Sequence, residues 1–398
     1  MNKIFLFLCI LCLAACQTNK EQPDRTPVTE AVRGVWVPAP RFTPVLTSYE
    51  QVKDFVALLD TLHMNAVFLV AYAETKTIYK SEVLKSYSTY ASVEEGYLLQ
   101  PYLTGYAGPS GDPVRDLLDE AHRRGIRVFF WFEYGFMGEG RPIPADNPLL
   151  GRHPDWASLG NDGQPANYNK SDYYFNAYRP EVQNFLLELV AEAFTRYPDL
   201  DGVQGDDRMP AMPRNSGYDA YTTERYRQEH DGKNPPADFN DPEWVRWRLD
   251  LLNAFAGHLY RTVKEKNPDA WVSFAPNPYP WCEENLMQEW PAWCAAGYCD
   301  LLAVQCYRYT AEAYRSTVSS ALEQLQRIAR MPLFSPGIIL TEKMTPELLA
   351  EQLHVNRQCG IRNEVFFYNR ALENPAIRQV LEREYREKVR FPELPLRD

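Results

Sequence analysis

The sequence predicts an α/β fold, a single (β/α)8 barrel with long βα loops. Eight short, continuous apolar runs read as parallel strands buried on both faces, and helix-period segments separate them with no sheet-only or helix-only block. No Gly-rich phosphate turn follows the first run, which disfavours the runner-up, an open doubly wound sheet.

The elements follow in order. Arg33 to Pro38 (RGVWVP) is the first strand, and Tyr49 to Leu62 alternates as a helix. Asn65 to Tyr72 (NAVFLVAY) is the second, followed by a polar, Tyr-rich loop to about Ser110. Asp112 to Arg124 keeps a helical period and stops at Gly125, a natural C-cap. Ile126 to Tyr134 (IRVFFWFEY) is the third strand, and a loop punctuated by Pro142, Pro144, Pro148, Pro154 and Pro165 reaches about Tyr178. Pro180 opens an amphipathic helix over Glu181 to Tyr197, ahead of the fourth strand, Asp201 to Gly205. Asp241-Pro242 provides the N-cap and first turn of a long helix, Trp244 to Lys266. Ala270 to Ala275 is the fifth strand and Leu301 to Cys306 the sixth, with a helix over Tyr314 to Ala329. Leu333 to Leu340 is the seventh, followed by the helix Pro346 to Cys359. Glu364 to Tyr368 is the eighth, and the helix Pro375 to Arg386 closes the series.

The N-terminus reads as a targeting segment. Lys3 precedes the apolar stretch Ile4 to Leu13, too short for a permanent membrane span, and Leu13-Ala14-Ala15-Cys16 matches a bacterial lipobox. The expected organisation is a signal peptide over residues 1–15, a tether over 16–30 starting at lipidated Cys16, the barrel over 31–390 and a tail over 391–398. The alternative is an ordinary secretory signal that contains a cysteine. A lipid anchor places the chain in the cell envelope, and display on the outer membrane suits glycan foraging.

Of the 8 cysteines, Cys282, Cys294, Cys299, Cys306 and Cys359 remain in the mature chain beside Cys16. Their spacings match no zinc site, and one disulfide among Cys282, Cys294 and Cys299 is compatible with an oxidising compartment. No cofactor or metal is implied. A net charge of -11 argues against a nucleic-acid partner, and no signal for an oligomeric state is present. Aromatic residues make up 13% of the chain, and such rings suit the CH-rich faces of sugars, although most are expected in the core.

Barrel active sites lie at the C-terminal ends of the strands. The polar residues there are Glu133 after strand three, Asp206, Asp207 and Arg208 after strand four, and Asn277 with Tyr279 after strand five. Strand six ends in Gln305, Tyr307 and Arg308, strand seven leads to Glu342 and Lys343, and strand eight to Tyr368, Asn369 and Arg370. Adjacent carboxylates at a strand end raise one pKa unless they are neutralised. The plainer reading of Asp206 and Asp207 is a turn that caps the next helix and pairs with Arg208. Carboxylates facing one another across an aromatic bowl are the equipment of glycoside hydrolysis. There is no Gly-x-Ser-x-Gly elbow, P-loop or ligand-histidine cluster, and the 6 histidines fall mostly in helices and loops.

At these residues the chain resembles a known family. Arg33-Gly34-Val35-Trp36-Val37, Asn176-Ala177-Tyr178-Arg179-Pro180-Glu181-Val182 and Tyr197 are similar to the bacterial glycosyl hydrolase-like family 10. So are Asp201-Gly202-Val203, Asp206-Asp207, Trp244, Trp247, Arg248 and the end of strand eight. The resemblance implies a secreted or lipid-anchored glycoside hydrolase acting on a carbohydrate, with relatives in Gram-negative bacteria associated with cleaving peptidoglycan glycan strands. More distantly, Gly202 to Asp206 is similar to the strand-four segment of α-amylase-like barrels, whose nucleophile falls on Asp206. Gln204 replaces their arginine, and no carboxylate ends strand five.

The expected catalytic carboxylates are Asp206, with Asp207 as partner or tuning neighbour, and Glu133 or Glu342 as the acid. Glu342 competes with a surface role beside Lys343. Arg208, Asn277, Gln305 and Arg308 are candidate hydrogen-bonding partners of sugar hydroxyls, and Trp36, Trp131, Tyr307 and Tyr368 candidate stacking rings. The competing function class is a non-catalytic, surface glycan-binding lipoprotein. A third is a metal- or phosphate-dependent barrel in which two aspartates hold a divalent ion.

Overall fold

The computed structural model describes residues 29–394 apart from Arg141, Lys170 and Arg330. The expected signal segment, Cys16 and nearly all of the tether lie outside the described residues. No helix of the described residues is long and apolar enough to cross a membrane.

Eight parallel strand segments surround one core. They are β1 (Arg33–Val37), β2 (Ala66–Val70), β3 (Arg127–Phe132), β4 (Gly202–Gly205), β5 (Trp271–Phe274), β6 (Leu301–Leu302), β7 (Leu333–Phe334 and Gly337–Ile339) and β8 (Glu364–Phe367). Apolar runs such as AVFLV in β2 are buried at every position, because side chains face the barrel interior on one side and the outer helices on the other. Val35 pairs with Val67 of β2 and with Phe366 of β8, so β1 joins the first strand to the last.

The seventh strand is interrupted where the sequence suggested a continuous run. Pro336 has no N–H to donate to a ladder, which splits the strand in two. Its first half pairs with β6 and its second with β8. Ser335 and Gly337 still donate backbone N–H groups to Leu302 and Val304, and a bridge joins Gln305 to Gly337. The two ends of the sheet are therefore one stretch of chain, and the barrel closes there.

Seven outer helices carry the return path: α1 (Tyr49–Thr61), α2 (Pro113–His122), α3 (Pro180–Arg196), α4 (Pro242–Lys266), α5 (Ala311–Leu325), α6 (Pro346–Gln358) and α7 (Pro375–Glu384). Six of the starts follow from capping, since Ser48, Asp112, Asp241, Thr310, Thr345 and Asn374 each accept a first-turn backbone N–H, and α3 opens instead on Pro180. Between β5 and β6 the chain forms two short helices, Trp281–Leu286 and Trp290–Ala295, instead of one crossover helix. A further helix, Ala220–Glu229, precedes α4. The five described cysteines carry free thiols.

Two buried carboxylates in the floor of the barrel are well supplied with donors. Glu364, at the start of β8, is fully buried and accepts from Tyr385 Oη (2.8 Å), Asn356 Nδ2 (3.2 Å) and Arg357. Asp201 accepts from the backbone N–H of Val128, from Arg127 Nη1 and from His122 Nε2, all at 2.7 Å. Phe391 packs against Phe129 and Trp271 from below, so the segment expected to be a tail begins as part of the floor.

Removing one member of a buried ion pair strands the other. Arg357→Ala is therefore expected to lower the unfolding free energy by about 3 kcal/mol, measured by urea denaturation at neutral pH. A change below about 0.5 kcal/mol would show that Tyr385 and Asn356 suffice to hold Glu364.

Candidate active site

The turn after β4 has a sequence-local cause. A Cβ on Gly205 would lie 2.1 Å from the Met209 carbonyl oxygen, so only glycine lets the chain fold back this closely. Asp206 Oδ1 accepts the backbone N–H of Arg208 at 2.9 Å, an Asx turn that directs the two neighbouring carboxylates differently. Asp206 turns inward. It is 1% exposed, and Trp131 of β3 donates its indole N–H to Asp206 Oδ2 at 2.9 Å. Asp207 turns to the mouth, is 22% exposed, and accepts from Asn277 Nδ2 (3.2 Å) and Gln305 Nε2 (3.3 Å).

One guanidinium joins these groups. Arg208 Nη1 lies 3.2 Å from Asp206 Oδ2 and 3.3 Å from Asp207 Oδ1, and donates to the Glu133 backbone carbonyl at 3.3 Å. Burial, and then the charge of Asp207, push the Asp206 carboxyl well above the ordinary aspartate range despite this cation. The pairing with Arg208 that the plainer reading expected is present, but the next helix, Ala220–Glu229, is capped by Asp219 and not by this pair.

Glu133 ends β3 beside this turn. Its side chain is half-buried, and its Oε2 is shielded from solvent with no hydrogen-bond partner among the described residues. Burial raises its pKa to about 7, with Asp207 adding to the rise and Arg208 opposing it. A second polar group stands beside it. Arg41 Nε pairs with Glu74 Oε1 at 3.0 Å and Arg41 Nη2 donates to Tyr134 Oη at 3.2 Å, while Tyr134 donates to Glu139 Oε2 at 2.7 Å. Glu74 and Glu139 line a cavity of about 650 Å³ with Tyr173 and Asn147.

The other sequence-predicted residues divide clearly. Glu342 is exposed in the turn after β7 and lines a separate cavity of about 510 Å³ with Tyr368 and Arg370. Trp36 is not a stacking platform: it is 1% exposed in the barrel interior, where its indole N–H donates to Gln204 Oε1 at 2.6 Å. Trp131 is likewise buried, and its contribution is the donor to Asp206. Asn277 and Gln305 spend amide protons on Asp207. Tyr307 is half-buried against Phe367 (5.6 Å), its phenol pushed well above the ordinary range by burial and by Asp207. Arg308 donates to the Tyr307 carbonyl at 2.8 Å. Tyr368 is half-buried beside Phe367 at 5.3 Å. The described residues contain no group of three or more His, Cys, Asp or Glu placed to hold a metal.

Three residues have roles that were not assigned from the sequence. Gln288 is fully buried and donates Nε2 to the backbone carbonyls of Asp206 (2.8 Å) and Pro210 (3.1 Å), tying the β5–β6 segment to the turn. Its spacing from Asp206 carried no signal. Arg41 follows β1 and was legible by the same strand-end rule that selected Glu133. Arg248, one of the residues carrying the family resemblance, is structural: its guanidinium donates to the carbonyls of Trp244, Arg214, Ser216 and Phe239 and so clamps the long β4 loop to α4.

Trp131→Phe removes the indole donor and leaves Asp206 Oδ2 with Arg208 alone. The expected loss is about 1–3 kcal/mol of unfolding free energy by chemical denaturation, with the far-ultraviolet spectrum unchanged. An unchanged midpoint would show that Arg208 alone satisfies the carboxyl.

The comparisons with known proteins bear on the family and the fold. The chain is 27% identical over 219 residues to the glycosyl hydrolase DigH of Escherichia coli K12, a match covering 52% of this chain and 43% of that protein. It therefore spans less than half the length of that curated relative. Among solved structures, the glycoside hydrolase domain of PgaB (BpsB) from Bordetella bronchiseptica superposes with a TM-score of 0.61 at 16% identity, covering 89% of this chain and 99% of that one. A GH42 β-galactosidase from G. stearothermophilus, Gan42B, gives 0.60 at 10% identity over 92% of this chain and 58% of that one. These two likenesses are of fold. Residues 31–332 match the family described as glycosyl hydrolase-like 10, and the chain belongs to that family.

Proposed function

We propose that the chain is a glycoside hydrolase that cleaves O-glycosidic bonds in a poly- or oligosaccharide, with Glu133 as proton donor and Asp207 as the carboxylate that acts at the anomeric carbon. The observation that carries this is the unlike environment of two neighbouring carboxyl groups at the barrel mouth. Glu133 is held near pKa 7 by burial, while Asp207 stands at the opening with three donors converging on it. Asp206, the first choice from sequence, is enclosed by Trp131 and Arg208, and its role becomes that of a buried neighbour that fixes the turn.

In the proposed step Glu133 gives its proton to the bridging oxygen as the bond from that oxygen to the anomeric carbon breaks. Asp207 either bonds to that carbon, forming a glycosyl ester that water then cleaves as Glu133 takes up the water's proton, or itself takes the proton from a water that attacks the carbon directly; by either route the products are a hemiacetal and an alcohol. Arg208 compensates the negative charge. The resemblance to the family supports peptidoglycan glycan strands as substrate, and Leu13-Ala14-Ala15-Cys16 supports export and lipid anchoring in the cell envelope. A glycan-binding protein without turnover would need the rings and amides of the mouth but not a proton donor poised near neutrality.

Reducing-end release from peptide-free peptidoglycan glycan strands, with a panel of plant and host polysaccharides beside it, tests the reading. Glu133→Gln should lower kcat/KM by about 10²–10⁴-fold on glycans, and by less on aryl glycosides whose leaving groups need no proton. Asp207→Asn should lose turnover on both. Activity within tenfold of wild type for Asp207→Asn would sink the assignment, and absence of any product from wild type would favour the binding protein.

The pH dependence has a definite sign. A general acid works only while protonated, so turnover should fall as pH rises through about 7, the value to which burial lifts Glu133. That alkaline limb should be missing from the residual activity of Glu133→Gln; its persistence would assign the proton to another group.

A further inference from the structure

Large apolar side chains left in water are unevenly placed on this barrel. Among the described residues six are exposed, and Phe42, Tyr102, Tyr168, Trp281 and Tyr309 all stand in loops that follow the C-terminal ends of barrel strands; Met331 lies at the opposite end, just before β7. Two of the five touch each other. Tyr168 and Trp281 meet with ring centroids 5.4 Å apart and planes at 90°. They come from different loops, Tyr168 from the one after β3 and Trp281 from the one after β5, the two strands that flank β4 in the sheet.

Both rings are linked to the carboxylate site. After burial, the charge of Asp207 is the largest influence on the Tyr168 phenol, which is lifted above its ordinary range. Trp281 lies four residues beyond Asn277, which donates to Asp207, and opens the short helix Trp281–Leu286. That helix is fastened at its base, where Cys282 Sγ donates to the Gln288 carbonyl at 3.2 Å and Gln288 Nε2 donates to the Asp206 carbonyl at 2.8 Å. The platform is thereby tied to the same turn that carries the catalytic candidates.

We propose that Tyr168 and Trp281 form a subsite for a pyranose unit of the saccharide chain whose scissile bond lies at Asp207. This rests on the glycoside hydrolase reading for the identity of the chain. Perpendicular rings make a corner: an apolar face stacks against the axial C–H groups of the sugar, while the phenol hydroxyl at the edge reaches its hydroxyls. Such a corner, beside the bond to be cut rather than over it, holds the substrate by a unit that does not react. It makes affinity grow with chain length, the behaviour of an enzyme that cuts within strands rather than from short fragments. Of the four rings that the sequence nominated for stacking, Trp36 and Trp131 are in the core and Tyr307 and Tyr368 are half-buried, whereas Tyr168 and Trp281 are exposed.

Binding of peptide-free peptidoglycan glycan strands, fractionated from one disaccharide to several, is measured by calorimetry on the Glu133→Gln chain, which separates affinity from turnover. Adding Trp281→Ala or Tyr168→Ala should weaken binding of long strands about tenfold, the size of one good aromatic contact. The loss should shrink as strands shorten, and Trp281→Phe should restore most of it because a flat ring returns without the indole N–H. Long-strand affinity within twofold of the parent, an equal loss at every length, or no binding by the parent would each overturn the subsite. Hydrolysis by the wild-type chain is read in parallel: strands that bind through these rings but are never cut overturn the hydrolytic reading and leave the subsite standing.

Discussion

The guanidinium of Arg208 is the interaction on which the mouth of this barrel depends. Two adjacent aspartates and a glutamate converge where β3 and β4 end, in a place partly shielded from water, and like charges so arranged repel strongly. Arg208 Nη1 reaches both aspartates within 3.3 Å and also the backbone of Glu133. It is the cation supplied by the same turn, so the neutralising charge arrives with the carboxylates and needs no distant partner. The close return of Met209 over Gly205 and the Asx turn at Asp206 set where that guanidinium can stand.

Around this centre the barrel separates the carboxyl groups by environment. Asp206 is enclosed by an indole donor and becomes part of the architecture, whereas Asp207 meets amide donors from two other strand ends. Glu133 Oε2 is shielded from water with no hydrogen-bond partner among the described residues, and burial lifts the pKa of this carboxyl to about 7. Three chemically similar side chains thus meet three different environments, which is the condition for dividing acid and base work in one cleft. The supports are remote in sequence: Gln288 from the β5–β6 segment and Arg248 from α4 hold backbone rather than substrate.

Much of the fold was legible because its signals are local. Apolar runs of strand length and capping residues such as Asp112, Asp241 and Thr345 each act within a few residues of where they stand. The break in β7 was legible in principle at Pro336, and the doubled short helices after β5 were not, since Trp281–Leu286 and Trp290–Ala295 are held by loop contacts rather than by an amphipathic period. In the site, strand-end position correctly collected Glu133, Asp206, Asp207, Arg208, Asn277 and Gln305 into one neighbourhood. It also swept in Glu342, which stands in a separate cavity, and it promoted aromatics that the barrel uses as filling.

The sequence by itself determined the order of strands and helices, the end of the barrel at which chemistry-bearing residues gather, and the family. These rest on periodicity and on motifs that are contiguous in the chain. Only the tertiary structure decided which aspartate faces the cleft, which tryptophans are core and which ring pair stands at the rim. Those outcomes depend on side-chain direction and on partners roughly 70 to 100 residues away, such as Trp131, Asn277 and Gln305, and burial is a property of the assembled barrel that no stretch of chain carries alone.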